Sequence, residues 1–192
     1  MNKILLIFCL LWSCTVHAQG GMDKLDLKIL QKTEVSRTAT QTRALKIISD
    51  ANNYVNIAIP AGLFVAGAID HNKDMRQNAL YVVSSTATTA LLNFALKRII
   101  KRPRPFLVHL SLTPVYKPGE YSMPSGHTSA SFSTATALSM AYPKWYVAAP
   151  AFLWAGTVGY SRVYLGVHNP SDVVAGAALG VGTAFGFNFM KQ

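Results

Sequence analysis

The first chemically suggestive stretch is basic and runs from Lys97 to Pro105 with the sequence KRIIKRPRP. It holds five cations within eight residues. Such a density of positive charge attracts an anion, which could be the headgroup surface of a membrane or an anionic substrate. This stretch alone does not choose between these two partners.

The second stretch is the tetrapeptide Pro124 to His127, with the sequence PSGH, ahead of a helix predicted to begin near Thr128. Gly126 allows the backbone to approach a ligand closely, and the free N–H groups at a helix start favour an anion. A histidine after a glycine turn can equally serve as a helix cap. The tetrapeptide therefore indicates either an anion site or a simple turn.

The third stretch, residues 161–172, combines a histidine with a carboxylate one helical turn later. Asn169 is the predicted N-cap and Pro170 the first helical residue, so Asp172 can reach back toward His168. A carboxylate in that position would keep one imidazole nitrogen protonated and leave the other free to attack an electrophile. The alternative is that Asp172 caps the helix without touching His168.

Together the three stretches resemble the signature of the type 2 phosphatidic acid phosphatase (PAP2) superfamily, in its branch of membrane-embedded bacterial lipid phosphatases. That signature reads Lys-x6-Arg-Pro, then Pro-Ser-Gly-His, then Ser-Arg-x5-His-x3-Asp. It is met here by Lys97 with Arg104 and Pro105, by residues 124–127, and by Ser161 and Arg162 with His168 and Asp172. The resemblance extends from about residue 50 to the C-terminus.

The resemblance implies a role for each motif residue. His168 would attack phosphorus to form a phosphohistidine, Asp172 would orient it, and His127 would protonate the leaving oxygen and then activate water. Phosphate would be held by five groups: Lys97, Arg104, Ser125, the Gly126 backbone and Arg162. No metal or other cofactor is implied, because fixed cations take the place that Mg²⁺ holds in kinases.

Composition favours a membrane protein of one domain. The chain has 192 residues, 51% of them hydrophobic and only 14% charged, against roughly 25% charged in an ordinary soluble domain. This excludes disorder and leaves no room for a separate nucleotide-binding module. A net charge of +10 suits an anionic partner, and with this resemblance we expect a phosphorylated lipid in a membrane rather than nucleic acid, with no obligatory protein partner.

Five intervals without charged residues predict five helices and no strands. They are residues 51–69, 77–96, 121–143, 145–161 and 173–190. Each is about long enough to span a bilayer, and none shows the polar stripe of a helix on a soluble protein. We therefore predict an all-α integral membrane bundle of about five transmembrane helices, with a soluble helical bundle as the alternative.

The first 18 residues are predicted to be a signal peptide cleaved after Ala18, because an apolar run follows Lys3 and Val16-His17-Ala18 fits the cleavage pattern. A retained first transmembrane helix is the alternative. Cys9 and Cys14 lie in this segment, so the mature chain would lack thiols. We expect residues 19–50 to be amphipathic or loosely ordered and residues 51–192 to form the phosphatase domain.

Counting helices from a periplasmic N-terminus places the motif loops on the outer face of a bacterial inner membrane. The expected function is a metal-independent phosphatase acting there on undecaprenyl diphosphate, phosphatidylglycerophosphate, phosphatidic acid or a lipid A phosphate. The alternatives are a secreted or periplasmic acid phosphatase for soluble phosphomonoesters and a non-catalytic protein that binds anionic lipid. Arg98, Lys101 and Arg102 fall outside the strict motif and are expected at the lipid interface, with a second anionic group of the substrate as the alternative partner. Tyr116 is also expected at the interface.

Overall fold

The computed structural model describes residues 22–119 and 121–192. All regular structure in these residues is helical, apart from one isolated antiparallel bridge between Pro103 and Tyr121. The predicted all-α class is confirmed. The predicted signal peptide, with Cys9 and Cys14, lies outside the described residues.

Five long helices coincide with the five predicted intervals, and three shorter elements accompany them. In chain order they are α1 (residues 22–35), α2 (Ala39–Ile69), α3 (Lys73–Ile100), α4 (Pro105–Val108), α5 (Gly126–Ala141), α6 (Trp145–Tyr164), α7 (Pro170–Gly186) and a final 3₁₀ turn (Asn188–Met190). Helix α2 runs through residue 50 without interruption. The segment expected to be amphipathic or loosely ordered therefore contains α1 and the first turns of α2.

Local capping fixes the helix ends that carry the motifs. Helix α3 begins where the Asn72 side chain accepts the Met75 N–H at 2.9 Å, and it ends where Lys101 adopts a left-handed backbone with φ of 51°. Helix α7 begins at Pro170 after the cap Asn169, as predicted. Helix α5 begins at Gly126, two residues before the predicted start, with Ser125 at its N-cap.

Helix α5 lies at the centre of the bundle and packs against α2, α3, α6 and α7. Its contact with α7 depends on glycine, because a Cβ atom on Gly176 would lie 2.7 Å from the Ser125 carbonyl oxygen. A Cβ atom on Gly180 would overlap the Ser129 carbonyl oxygen. The two backbones can therefore approach each other only where side chains are absent.

The bundle buries many polar side chains alongside its apolar clusters and exposes many apolar ones. Its interior contains hydroxyl and amide side chains that are at most 5% exposed, among them Ser85, Thr89, Asn93, Ser129 and Ser133. The outer surface exposes large apolar side chains, including Ile57, Leu91, Phe94, Leu153 and Val174. Such a distribution is typical of helices that pack in lipid.

Among the described helices, α3 alone is both long enough and apolar enough to cross a membrane. The five-span count therefore stays a prediction.

The three motifs meet at one end of the bundle. The first occupies the C-terminal end of α3, the second the start of α5, and the third the end of α6 and the start of α7. At the opposite end Gln77 donates to the Met190 carbonyl and Lys191 to the Met140 carbonyl. The helices thus gather residues that are far apart in sequence onto one face.

The glycine contact between α5 and α7 predicts a specific sensitivity. Gly180→Ala should lower the free energy of unfolding by about 1–3 kcal/mol, because the new methyl group would force the two backbones apart. Gly182→Ala is the matched control on the same helix, since nothing lies within 4 Å of its Cβ position. Thermal unfolding in detergent should show a lower Tm for the first variant alone, and equal Tm values would contradict this packing.

Candidate active site

His168 and Asp172 lie together in the buried centre of the site. His168 is 2% exposed and Asp172 is 0% exposed. The Asp172 Oδ2 atom lies 3.6 Å from His168 Nδ1, slightly longer than an ordinary hydrogen bond, and it accepts the Asn169 N–H at 2.8 Å. Asp172 therefore caps α7, as both interpretations of the sequence expected, and it also faces the imidazole, as only the first of them expected.

The surroundings of His168 select one tautomer of its ring. Arg104 Nη1 lies 3.3 Å from His168 Nε2, and because a guanidinium can only donate, Nε2 must accept. The ring proton then resides on Nδ1, toward Asp172. Burial lowers the pKa of His168, Asp172 opposes this shift, and the positive charges of Arg162 and Arg104 reinforce it. The ring is thus neutral near pH 7, with a lone pair on Nε2.

Three cations surround this imidazole, and backbone carbonyl groups hold two of them. Lys97 Nζ donates to the carbonyl oxygens of Tyr121 at 2.9 Å and Ser122 at 3.2 Å. Arg104 donates to the carbonyl oxygens of Gly119 and Val167, the latter at 2.6 Å.

The third cation, Arg162, is held by hydroxyl groups. It is 2% exposed and donates to the hydroxyl groups of Tyr116, at 2.6 Å, and Ser49. The Arg162 Nε atom has no hydrogen-bond partner among the described residues.

These cations lack acidic partners. Within residues 22–119 and 121–192, no carboxylate oxygen lies within 4 Å of the charged nitrogens of Lys97, Arg104 or Arg162. Burial and the charge of Arg162 lower the pKa of Arg104 to about 10, which reflects this uncompensated charge. Buried charge without a counter-ion is costly, so the arrangement fits an anion with at least two negative charges.

The second motif closes the site from the start of α5. The Ser125 N–H donates to the Asp172 carbonyl oxygen at 3.0 Å, which joins the second motif to the third. The first N–H groups of α5, from Gly126 onward, have no acceptors within the helix and can bind an anion. His127 is half-buried and is the second residue of α5, directly after Gly126. All eight predicted site residues therefore converge on one region.

Two asparagines that the sequence analysis did not identify support this motif. Asn93 of α3 donates to the Pro124 carbonyl oxygen at 3.2 Å and to the Ser129 hydroxyl at 3.1 Å. Asn52 of α2 donates to the His127 carbonyl oxygen at 3.3 Å. Amide side chains within otherwise apolar, charge-free intervals are the signal that could have revealed them.

Two predictions about residues near the site were wrong. Arg102 does not lie at the lipid interface, because its guanidinium donates to Asp172, Asp26 and Asp23 at 2.7, 3.0 and 2.8 Å. Tyr116 is not an interfacial anchor, since its hydroxyl accepts from the buried Arg162. Both residues turn inward because the site offers them oppositely charged or hydrogen-bonding partners.

The family pattern described as the PAP2 superfamily matches residues 78–191, which include all three motifs. The chain belongs to the PAP2 superfamily. Because phosphatases bearing this pattern hydrolyse phosphoric esters, this PAP2 chain is a phosphoric ester hydrolase.

Relatives of known activity include several lipid phosphatases. An undecaprenyl-diphosphatase of Sulfolobus acidocaldarius is 30% identical over 189 residues, which is 95% of this chain and 87% of the relative. A lipid A 1-phosphatase of Rhizobium etli is 36% identical over 106 residues, covering 52% of this chain and 44% of the relative. The second similarity therefore spans less than half of that relative.

Solved PAP2 structures share the fold over most of the chain. The first transmembrane PAP2-type phosphatidylglycerolphosphate phosphatase from Bacillus subtilis superposes with a TM-score of 0.73 at 26% identity, covering 96% of this chain and 92% of that one. LpxE of Aquifex aeolicus gives a TM-score of 0.69 at 25% identity, covering 85% and 94% respectively. This PAP2 chain thus shares its helical arrangement with one enzyme described as transmembrane and with LpxE.

The unpaired Arg162 Nε atom predicts a test of the anion site. Arg162→Lys should weaken inhibition by vanadate and lower turnover roughly 100-fold, because an ammonium cannot contact two oxygens in one plane. Arg98→Lys is the control, since Arg98 is exposed and lies against Phe94. Inhibition constants and initial rates should be measured in EDTA, where we expect wild-type activity to persist. Equal behaviour of the two variants would contradict an anion site at Arg162.

Proposed function

We propose that this PAP2 chain removes phosphate from a membrane lipid through a phosphohistidine on His168. The observation that carries the proposal is a neutral, buried imidazole surrounded by three cations that have no carboxylate partner in the described residues. A phosphate group would supply the missing negative charge, and its phosphorus would then lie against the one nitrogen that can attack.

The reaction would proceed in two steps. His168 Nε2 forms a bond to phosphorus while the bond from phosphorus to the leaving oxygen breaks, and His127 donates a proton to that oxygen. His127, now neutral, takes a proton from water, which attacks phosphorus and releases phosphate and free His168. Lys97, Arg104 and Arg162, with Ser125 and the N–H of Gly126, stabilise the charge on the equatorial oxygens. Asp172 keeps the His168 proton on Nδ1 in both steps.

A membrane location is supported by the distribution of polar and apolar side chains in the bundle. Many apolar side chains are exposed on its outer surface, and many polar ones are buried. In addition, α3 has the length and hydropathy of a spanning helix, and one structural neighbour is a transmembrane enzyme. We infer that five helices span a bacterial inner membrane. With a cleaved signal peptide at residues 1–18, the motif end would face the periplasm.

A lipid substrate is favoured over a soluble phosphomonoester by an apolar groove beside the second motif. The groove has a volume of about 650 Å³, lies between α2 and α3, and includes Ile57, Phe64 and Val83. It reaches Ala130, one helical turn after His127 on α5. Since His127 would face the leaving oxygen, the hydrocarbon chain attached to that oxygen can extend from His127 into the groove.

Filling the groove separates a lipid phosphatase from a soluble-ester phosphatase. Ala87→Trp places an indole in the groove, whereas Ala95→Trp places one on the same helix outside it. We expect Ala87→Trp to lower kcat/KM for undecaprenyl diphosphate or a phosphatidic acid in detergent by roughly tenfold, because hydrocarbon burial is lost. Hydrolysis of nitrophenyl phosphate should be unchanged in both variants.

Comparison of purified enzyme on the candidate lipids would also rank the substrates. Efficient hydrolysis of soluble phosphomonoesters with no hydrolysis of any lipid phosphate would contradict the proposal and support the acid phosphatase alternative.

The two histidines can be distinguished by the leaving group. His168→Ala should abolish turnover of every substrate, because it removes the nucleophile. His127→Ala should still transfer phosphate from nitrophenyl phosphate in a single burst, since nitrophenolate leaves without a proton, and the phosphoenzyme should then accumulate. With a lipid substrate the same variant should show no burst.

Rapid quench with detection of acid-labile phosphate on the protein measures this difference. Equal loss by His127→Ala with lipid and nitrophenyl substrates, and no trapped phosphoenzyme, would contradict the assigned roles.

A further inference from the structure

Helix α1 brings a buried carboxylate, Asp26, to the edge of the site. Asp26 is 4% exposed and lies outside the three motifs and outside the residues matched by the family pattern. Its Oδ1 atom accepts the Ser171 N–H at 3.0 Å. Its Oδ2 atom accepts the Ser171 hydroxyl and Arg102 Nη2, the latter at 3.0 Å. A carboxylate so enclosed is fixed in one orientation.

Arg102 connects Asp26 to Asp172. Its Nη1 atom donates to Asp172 Oδ1 at 2.7 Å and to the Ser171 hydroxyl at 2.6 Å. The other oxygen of Asp172 accepts the Asn169 N–H and faces His168 Nδ1. The two oxygens of Asp172 therefore have separate partners, and Arg102 determines which oxygen is left for the imidazole.

The charges in this chain of contacts affect the attack on phosphorus. Positive charge develops on the His168 ring as Nε2 bonds to phosphorus, and the negative charge of Asp172 stabilises it. Arg102, only 2.7 Å from Asp172, would cancel that negative charge if it had no other partner. Asp26 contributes a second negative charge on the far side of Arg102, so the group of three stays net negative beside His168.

We propose that Asp26 is a positioning residue of the phosphatase, which fixes the Arg102 guanidinium and offsets its charge so that Asp172 can stabilise His168 during attack. The inference rests on the roles proposed above for His168 and Asp172. Asp26 touches neither the substrate nor the imidazole. It makes α1, from a part of the chain without any recognised motif, a component of the site.

Asp23 provides a matched control on the same helix and the same guanidinium. It accepts from Arg102 Nη2 at 2.8 Å, but its side chain is 59% exposed, against 5% for Asp26. Solvent screens the interaction of an exposed ion pair, so Asp23 contributes little to the charge felt at Asp172. The pair of variants therefore separates a buried offsetting charge from a surface contact.

The test compares Asp26→Asn and Asp23→Asn in the full chain with nitrophenyl phosphate, which makes the readout independent of the lipid. Asp26→Asn should slow phosphoenzyme formation by about tenfold, the lower end of the range found when an outer hydrogen-bond partner of a metal-binding histidine is lost. The inhibition constant of inorganic phosphate, which binds without forming the bond to His168, should change by less than about twofold, because Lys97, Arg104 and Arg162 are untouched. Asp23→Asn should change both quantities by less than about twofold.

A second variant distinguishes charge compensation from a purely structural role. Adding Arg102→Gln to Asp26→Asn removes the uncompensated cation and should restore part of the lost rate, whereas a structural defect would become larger. A wild-type rate in Asp26→Asn would overturn the inference, as would a lower Tm with parallel loss of phosphate affinity and no rescue. Absence of any phosphoenzyme in the wild type would overturn the proposed mechanism together with this inference.

Discussion

The arrangement of the site depends on keeping positive charge buried without acidic partners. Arg102 and Arg104 are only two residues apart, yet Arg102 donates to three carboxylates and Arg104 to two carbonyl oxygens. Partial dipoles hold a cation in place but leave most of its charge uncancelled. The chain thus separates a structural arginine from one whose charge remains available to a phosphate, and this separation explains why adjacent basic residues are not equivalent.

Carbonyl groups in irregular segments make this separation possible. The oxygens that hold Lys97 and Arg104 belong to Gly119, Tyr121, Ser122 and Val167, all outside the helices. In a helix these oxygens would already accept from their own backbone, which would leave them less available to a cationic side chain. The bridge between Pro103 and Tyr121 ties one of these segments to the first motif. Helix packing therefore brings the helix ends together, and the irregular segments between the helices provide the carbonyl oxygens that hold the cations.

The sequence predicts the helices and the motif residues, because both leave local signals. The charge-free intervals coincide with the five long helices, and the eight predicted site residues converge. Partners such as Asp26 and Tyr116 could not be predicted in the same way, since their contacts join residues 145 and 46 positions apart along the chain. The side chain of Arg102 is likewise oriented by partners that lie far from it in sequence. Within a run of basic residues the local sequence does not distinguish one cation from another. Their different partners become apparent only in the folded structure.

Stability and site geometry share the same hydrogen bonds in this bundle. Asn93 joins α3 to α5 through the Ser129 hydroxyl, and the same amide nitrogen holds the Pro124 carbonyl of the second motif. Asn52 likewise joins α2 to α5, through both the His127 carbonyl and the Ser131 hydroxyl. In an apolar surrounding, helices gain little from burying more apolar surface, so polar side chains and close backbone contacts must join them. Because those polar side chains also hold the start of α5, the packing of the bundle and the position of His127 cannot vary independently.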